Sequence, residues 1–171
     1  MNTTFARLVT ALLLTLFFTA IANAMEHAAA GPAAVVVAFN TAIRDGDADG
    51  VAARLADGGV QFTIKSAHKG VEPDKLTTDL VPYWQMIAPV ISASTAIYER
   101  DVEVLDVREM GNIATVWVRI DTKRQLKGKE EVSTASANHV YLVIDTPDGW
   151  KIAGAADNRD ADDIGVAATG G

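Results

Sequence analysis

The chain is 171 residues long and carries 15 basic and 22 acidic side chains, a formal net charge of −7. That length holds one domain with a proper core, and the acidic balance excludes the positive footprint that a nucleic-acid or anionic-membrane binder needs. There is no cysteine, which excludes a disulfide framework, a thiol nucleophile and a lipidated N-terminal cysteine.

Residues 1–24 read as a leader. Arg7 is its only charge, and an apolar run of about 15 residues from Leu8 to Ala22 leads into Ala22-Asn23-Ala24, a small-x-small cleavage signal. The run is shorter than the ~20 residues a spanning helix needs. The expectation is a cleaved signal peptide and a periplasmic or secreted chain starting at Met25, with no membrane attachment afterwards. Residues 25–32 are expected to be flexible, 33–158 to form the domain and 159–171 to be a flexible tail.

Within 33–44, Val36, Phe39 and Ile43 recur at i, i+3 and i+7, which fits a helix with one buried face. Pro32 suits its first turn and Gly46 its end. A second short helix fits 48–56, with Val51 and Leu55 on one face, and Gly58-Gly59 closes it. Between them, Asp45, Asp47, Asp49 and Gly50 spell the opening of a calcium loop. Such a loop needs a closing acid at its twelfth position, and counting from Asp45 that residue is Ala56, with Ala53 at the ninth. The stretch therefore reads as a turn with Asp47 as helix cap.

Residues 60–66 alternate Val60, Phe62 and Ile64 with polar residues, a strand pattern. A loop follows, and 76–94 read as a helix through Leu80, Trp84, Ile87 and Ile91, kinked or broken by Pro82 and Pro89. Four strands complete the chain, at 97–109, 112–126, 131–145 and 150–156, separated by turn residues at 110–112, 127–129 and 146–149. Ala114, Val116, Val118 and Ile120 share one face, as do Val140, Leu142 and Ile144. The short connections imply antiparallel pairing. The one basic cluster, 123–129, reads as a hairpin end. Helices followed by a curled antiparallel sheet make an α+β layout, and three helices on one face leave the other open to pair with a second copy.

The junction "AIRDGDADGVAARLADGGVQF", with Gly46-Asp47 and Leu55-Ala56-Asp57, resembles that of the nuclear transport factor 2-like superfamily, in its SnoaL-like and ketosteroid-isomerase-like group. The closing "VYLVIDTPDGWKIAGAADN", with Gly149, Trp150 and Ile152, resembles the family's last hairpin, and "MGNIATVWVRI" its middle strand. The resemblance covers most of 33–158. It implies a cone, a curved antiparallel sheet wrapped on the N-terminal helices with a pocket between them. It also implies a choice between a binder and a small isomerase, dehydratase or hydrolase, because the fold hosts many functions, and the open sheet face leaves a homodimeric interaction module as a third choice.

A ketosteroid-isomerase set finds no acid among Gln61, Thr63 and Lys65 and no tyrosine beside Phe39 and Asn40. An epoxide-hydrolase-like set has matching spacing in Arg119 and Asp121, with Trp117 on the same face and Asp101 or Asp145 as a third acid. The competing reading turns Arg119 and Asp121 outward as a cross-strand charged pair. His27 lies near the cleavage point, His68 in the loop after the first strand, and His139 shares strand parity with Tyr141. Arg119, Asp121, His139 and His68 are the catalytic candidates. Tyr83, Trp84, Tyr98, Trp117 and Tyr141 are the candidate lining of an apolar pocket. No two histidines have a ligand spacing, so no metal is expected, and no cofactor or nucleic-acid partner. The expected partners are a small apolar molecule in the cone and a second copy on the open sheet face.

Overall fold

The computed structural model describes residues 31–65 and 75–159. The leader, His27, His68 and the tail from residue 160 lie outside the described residues.

Helix α1 spans Pro32–Asp45, one residue longer at each end than the apolar period suggests. Its stripe of Val36, Phe39 and Ile43 is fully buried. Gly46 ends it at φ +69°, the left-handed region that a side chain disfavours. Space is also short there, since a Cβ on Gly46 would lie 2.6 Å from Cβ of Ser92. Helix α2 (Ala48–Ala52) follows at once, and the carboxylate of Asp47 accepts from Gly50 N–H at 2.9 Å. Asp45 pairs with Arg44 at 2.8 Å. The acidic run is thus a capped turn, and two of its three carboxylates have partners within the protein.

Helix α2 is shorter than its sequence pattern, because strand β1 (Leu55–Lys65) begins where the helix was expected to continue. Ile152 N–H donates to Arg54 O at 2.9 Å and Leu55 pairs with Ile152, so sheet pairing overrides the helical spacing of Val51 and Leu55. Strand β2 (Lys75–Thr78), a stretch expected to be loop and helix start, runs antiparallel to β1. Helix α3 (Leu80–Ser94) is one continuous helix. Pro82 sits in its first turn, where no N–H is needed, and Pro89 withholds the helix hydrogen bond from the carbonyl of Gln85, an exposed residue.

Strands β3 (Thr95–Met110), β4 (Ile113–Leu126), β5 (Val132–Thr146) and β6 (Gly149–Arg159) complete a six-stranded sheet of order β2-β1-β6-β5-β4-β3. Every neighbouring pair is antiparallel except β1 and β6, which are parallel. The sheet is mixed because the meander returns its last strand to the side of the first. Register breaks after Val104 and after Leu142 add the twist that curves it.

The helices pack on the concave face. Ala114, Val116, Val118 and Ile120 all point there and are buried, as the alternation of β4 requires. In β5 the buried residues are His139, Tyr141 and Val143, while Val140, Leu142 and Ile144 take the other face. Pairing with β4 fixes this, since Val118 stands opposite His139 and Val116 opposite Tyr141. Phe39 centres the helix–sheet contact, edge-on to Trp84 (5.6 Å) and to Tyr141 (6.2 Å).

Replacing Gly46 with alanine combines a positive φ with a clash against Ser92. Gly46→Ala is expected to lower unfolding free energy by about 1–3 kcal/mol, read as a shift of the urea midpoint at unchanged slope. Wild-type stability in the variant would contradict the tight α1–α3 approach.

Candidate functional site

A cavity of about 330 Å³ lies between α3 and the concave face of β3, β4 and β5. Trp84, Ile87 and Ile91 supply an apolar wall from the helix side, while Tyr98, Arg100, Thr122 and His139 give the sheet side polar character. A hollow of about 490 Å³ on the other side of the sheet, lined by Asp101 and Asp121, and one of about 570 Å³ beside α1 are both wider and open broadly to solvent.

Two hydrogen-bond networks lie beneath the cavity. In the first, α1 projects Asn40 into the core with no exposed surface. Its Nδ2 donates to Val36 O at 2.8 Å and to the Tyr141 hydroxyl at 3.3 Å, and its Oδ1 accepts from Arg100 Nε at 2.8 Å. Arg100 also donates through Nη1 to the Tyr98 hydroxyl at 3.4 Å. Tyr98 and Arg100 face the cone because β3 pairs them with Arg124 and Thr122. In the second network, Trp84 Nε1 donates to Gln61 Oε1 at 3.2 Å, and Gln61 Nε2 and Thr63 Oγ1 donate to Asp157 Oδ2 at 3.0 and 3.3 Å. Asp157 is 1% exposed and stands opposite His139 across the β5–β6 pair. Opposed residues hold their Cβ atoms roughly 5 Å apart. His139 stacks on Tyr141, ring centroids 6.0 Å apart and planes 9° apart, so the residue opposite Asp157 in register lies against the tyrosine of the first network.

The electrostatics are uneven. Every hydrogen-bond partner described for Arg100 is a neutral oxygen, and among the described residues none of the ion pairs includes it. Burial pushes the Tyr141 hydroxyl above its ordinary pKa near 10, while the charge of Arg100 and hydrogen bonds with Asn40 and Arg100 pull the other way. Among the described residues no three His, Asp or Glu side chains group closely enough to hold a metal ion.

Of the residues singled out in the sequence, Tyr83, Trp84, Tyr98 and His139 line the cavity, and Tyr141 lies buried beside His139. Trp117 does not join them. It is on the convex face, 46% exposed, because β4 turns Val116 and Val118 inward. Arg119 and Asp121 share that outer face, where Arg119 pairs with Glu103 at 2.6 Å and with Asp121 at 3.4 Å. Asp101 stands opposite Asp121, also exposed, and Asp145 lies near the β5–β6 turn. The Arg119–Asp121 spacing is therefore a surface ion pair. Arg100 and Asp157 are not among the candidates the sequence offers, and Asn40 enters there only as a position without a tyrosine. Strand parity with Tyr98 was the available signal for Arg100. Asp157 lay beyond the expected end of the last strand.

No protein-family model matches the chain, and no curated protein does. Solved structures match well. A ketosteroid isomerase-like protein from Erwinia carotovora atroseptica superposes with TM-score 0.56 at 15% identity, covering 75% of this chain and 92% of that one. A protein termed a dehydratase of the NTF2-like family, from Streptomyces avermitilis, gives TM-score 0.55 at 17% identity over 73% and 90% of the two chains. This chain has the nuclear transport factor 2-like fold. A protein termed a scytalone dehydratase, from Novosphingobium aromaticivorans, shares that fold at TM-score 0.60 with only 7% identity, over 73% and 78% of the chains. At such identities the likeness concerns the nuclear transport factor 2-like cone and leaves chemistry to the side chains within it.

Asn40→Leu keeps the branched shape, adds some bulk and strips partners from Tyr141 and Arg100, and is expected to cost about 2–3 kcal/mol of stability. Tyr141 holds its proton more tightly when folded than unfolded. Its contribution is complete below about pH 10 and is lost as pH rises through the higher folded value. Urea midpoints measured from pH 8 to 11 should therefore fall more steeply for the wild type than for Tyr141→Phe, and parallel curves would contradict the burial of the hydroxyl.

Proposed function

We propose that the chain is an exported small-molecule-binding module, and that its cone takes a compact, largely apolar ligand. The observation carrying this is the 330 Å³ cavity with an apolar helix wall and a polar sheet side. Ligand sites typically enclose about 300–1,000 Å³ and combine apolar lining with a few fixed polar groups. This cavity is at the small end, which favours a single ring or a short chain. Export rests on the leader and its Ala22-Asn23-Ala24 signal.

One observation favours a second reading, a small isomerase or dehydratase. His139 lines the cone opposite buried Asp157 and against Tyr141. A histidine with a carboxylate behind it is suited to moving a proton near neutral pH. The hydrolase variant of that reading loses its support, because Arg119 and Asp121 are remote from the cone.

The convex face supports a proposed homodimer. Register places Phe62, Ala156, Val140 and Trp117 in one row across four strands, with Leu142 and Ile113 alongside. Phe62, Trp117, Leu142 and Ile113 are each 43–48% exposed. Arg119 and Glu103, of opposite charge, stand beside this row, so two copies related by a two-fold axis could bury the apolar centre within a charged rim.

Purified protein screened against small aromatic and terpenoid compounds is expected to gain at least a few degrees in Tm from some of them. Ile91→Trp, which fills the cavity, should abolish the gain. A flat response across the panel would contradict the binding reading. Light scattering at tens of micromolar should report a dimer that Trp117→Glu converts to monomer; a wild-type monomer would sink the dimer proposal.

A further inference from the structure

We propose that the molecule held in the cone is an organic acid whose carboxylate sits against Arg100. The inference rests on the reading of the cone as a binding site and adds the chemical class of the ligand.

Arg100 is partly buried, and its direction is set by Nε on Asn40 Oδ1 and Nη1 on the Tyr98 hydroxyl. Neutral oxygens orient a guanidinium without neutralising it, and a charge withdrawn from water lacks compensation until a counter-ion arrives. The nearby described carboxylates are turned away from Arg100 or engaged elsewhere. Glu99 and Asp101 flank Arg100 on β3, and strand alternation turns both to the convex side, where Glu99 pairs with Lys123 at 3.1 Å. Asp157, buried on the concave side, accepts from Gln61 and Thr63. It stands on β6, three strands from β3, or roughly 14 Å at ordinary strand spacing. Arg124, opposite Tyr98 in register, adds a second cation to the cavity lining. Among the described residues it too is in no ion pair.

The planar fork of a guanidinium matches the two oxygens of a carboxylate. The Tyr98 hydroxyl accepts from Arg100, so its own proton is free to donate to the same anion. A bare inorganic anion would leave the apolar wall of Trp84, Ile87 and Ile91 unused. An acid with a ring or short apolar chain fills both parts. The net charge of −7 repels anions at long range, so selection for the acid is local to this end of the cone.

The test compares matched probes on the purified full chain by calorimetry: phenylacetate against phenylacetamide, and benzoate against benzamide. The acids should bind about tenfold or more tightly than the amides. Arg100→Gln should bring each acid to the level of its amide, and Arg100→Lys should restore part of the difference. The wild-type acid-to-amide ratio decides the matter even if the Arg100 variants fail to fold. Equal binding of acid and amide, or acid binding unchanged in Arg100→Gln, overturns the carboxylate assignment while leaving the cone a binding site. Binding of neither member of either pair overturns both.

Discussion

The fold and the site depend on one buried amide. Asn40 projects from helix α1 into the core, and its two ends have different partners. The Nδ2 end ties the helix backbone at Val36 to the Tyr141 hydroxyl on β5, and the Oδ1 end holds Arg100 on β3. A buried amide left unbonded costs a large fraction of a domain's net stability, so the helix can settle in few other registers on the sheet. The same bonds aim a cation at the open cavity. Stability and ligand chemistry therefore share a residue, and the cone's polar side is held in place before any ligand enters.

A second constraint is strand register. The curved sheet has one face for the helices and one for the outside, and pairing between β4 and β5 decides which residues take which. Val118 opposite His139 brings the histidine into the cone, and Trp117 opposite Val140 puts the tryptophan on the convex surface. One decision thus supplies both His139 to the cavity and an apolar row to the outer face. Register breaks in β3 and at β5–β6 then curve the sheet enough to leave room under α3.

Much of this was legible in the sequence where local chemistry and global fold agree. The i, i+3, i+7 stripe of α1, the Gly46-Asp47 turn and the alternation of β4 all describe the structure correctly. So does the cone implied by the junction and closing-hairpin motifs. Legibility failed where a distant partner decides the outcome. Leu55 reads as helix by spacing and is strand because Ile152 pairs with it. The parallel β1–β6 pair joins the two ends of the domain, which no short pattern reports. On β5, Val140 and Leu142 look like the core stripe, yet His139 and Tyr141 are buried. Polar residues can line the inside only because Asn40, Asp157 and the cavity satisfy them. Arg119 drew attention by its spacing to Asp121, whereas Arg100 needed Asn40, 60 residues earlier, to become visible.

The central claim is that Asn40 fixes Arg100 toward the cone. The most direct measurement is the solvent-exchange rate of the Arg100 Nε–H in an NMR spectrum of the arginine side chains, compared with Asn40→Leu. A slowly exchanging Arg100 signal is expected in the wild type, becoming fast in the variant while the backbone spectrum stays folded. A wild-type Arg100 Nε–H exchanging as fast as that of a freely solvated guanidinium, or one indifferent to Asn40→Leu, would contradict it.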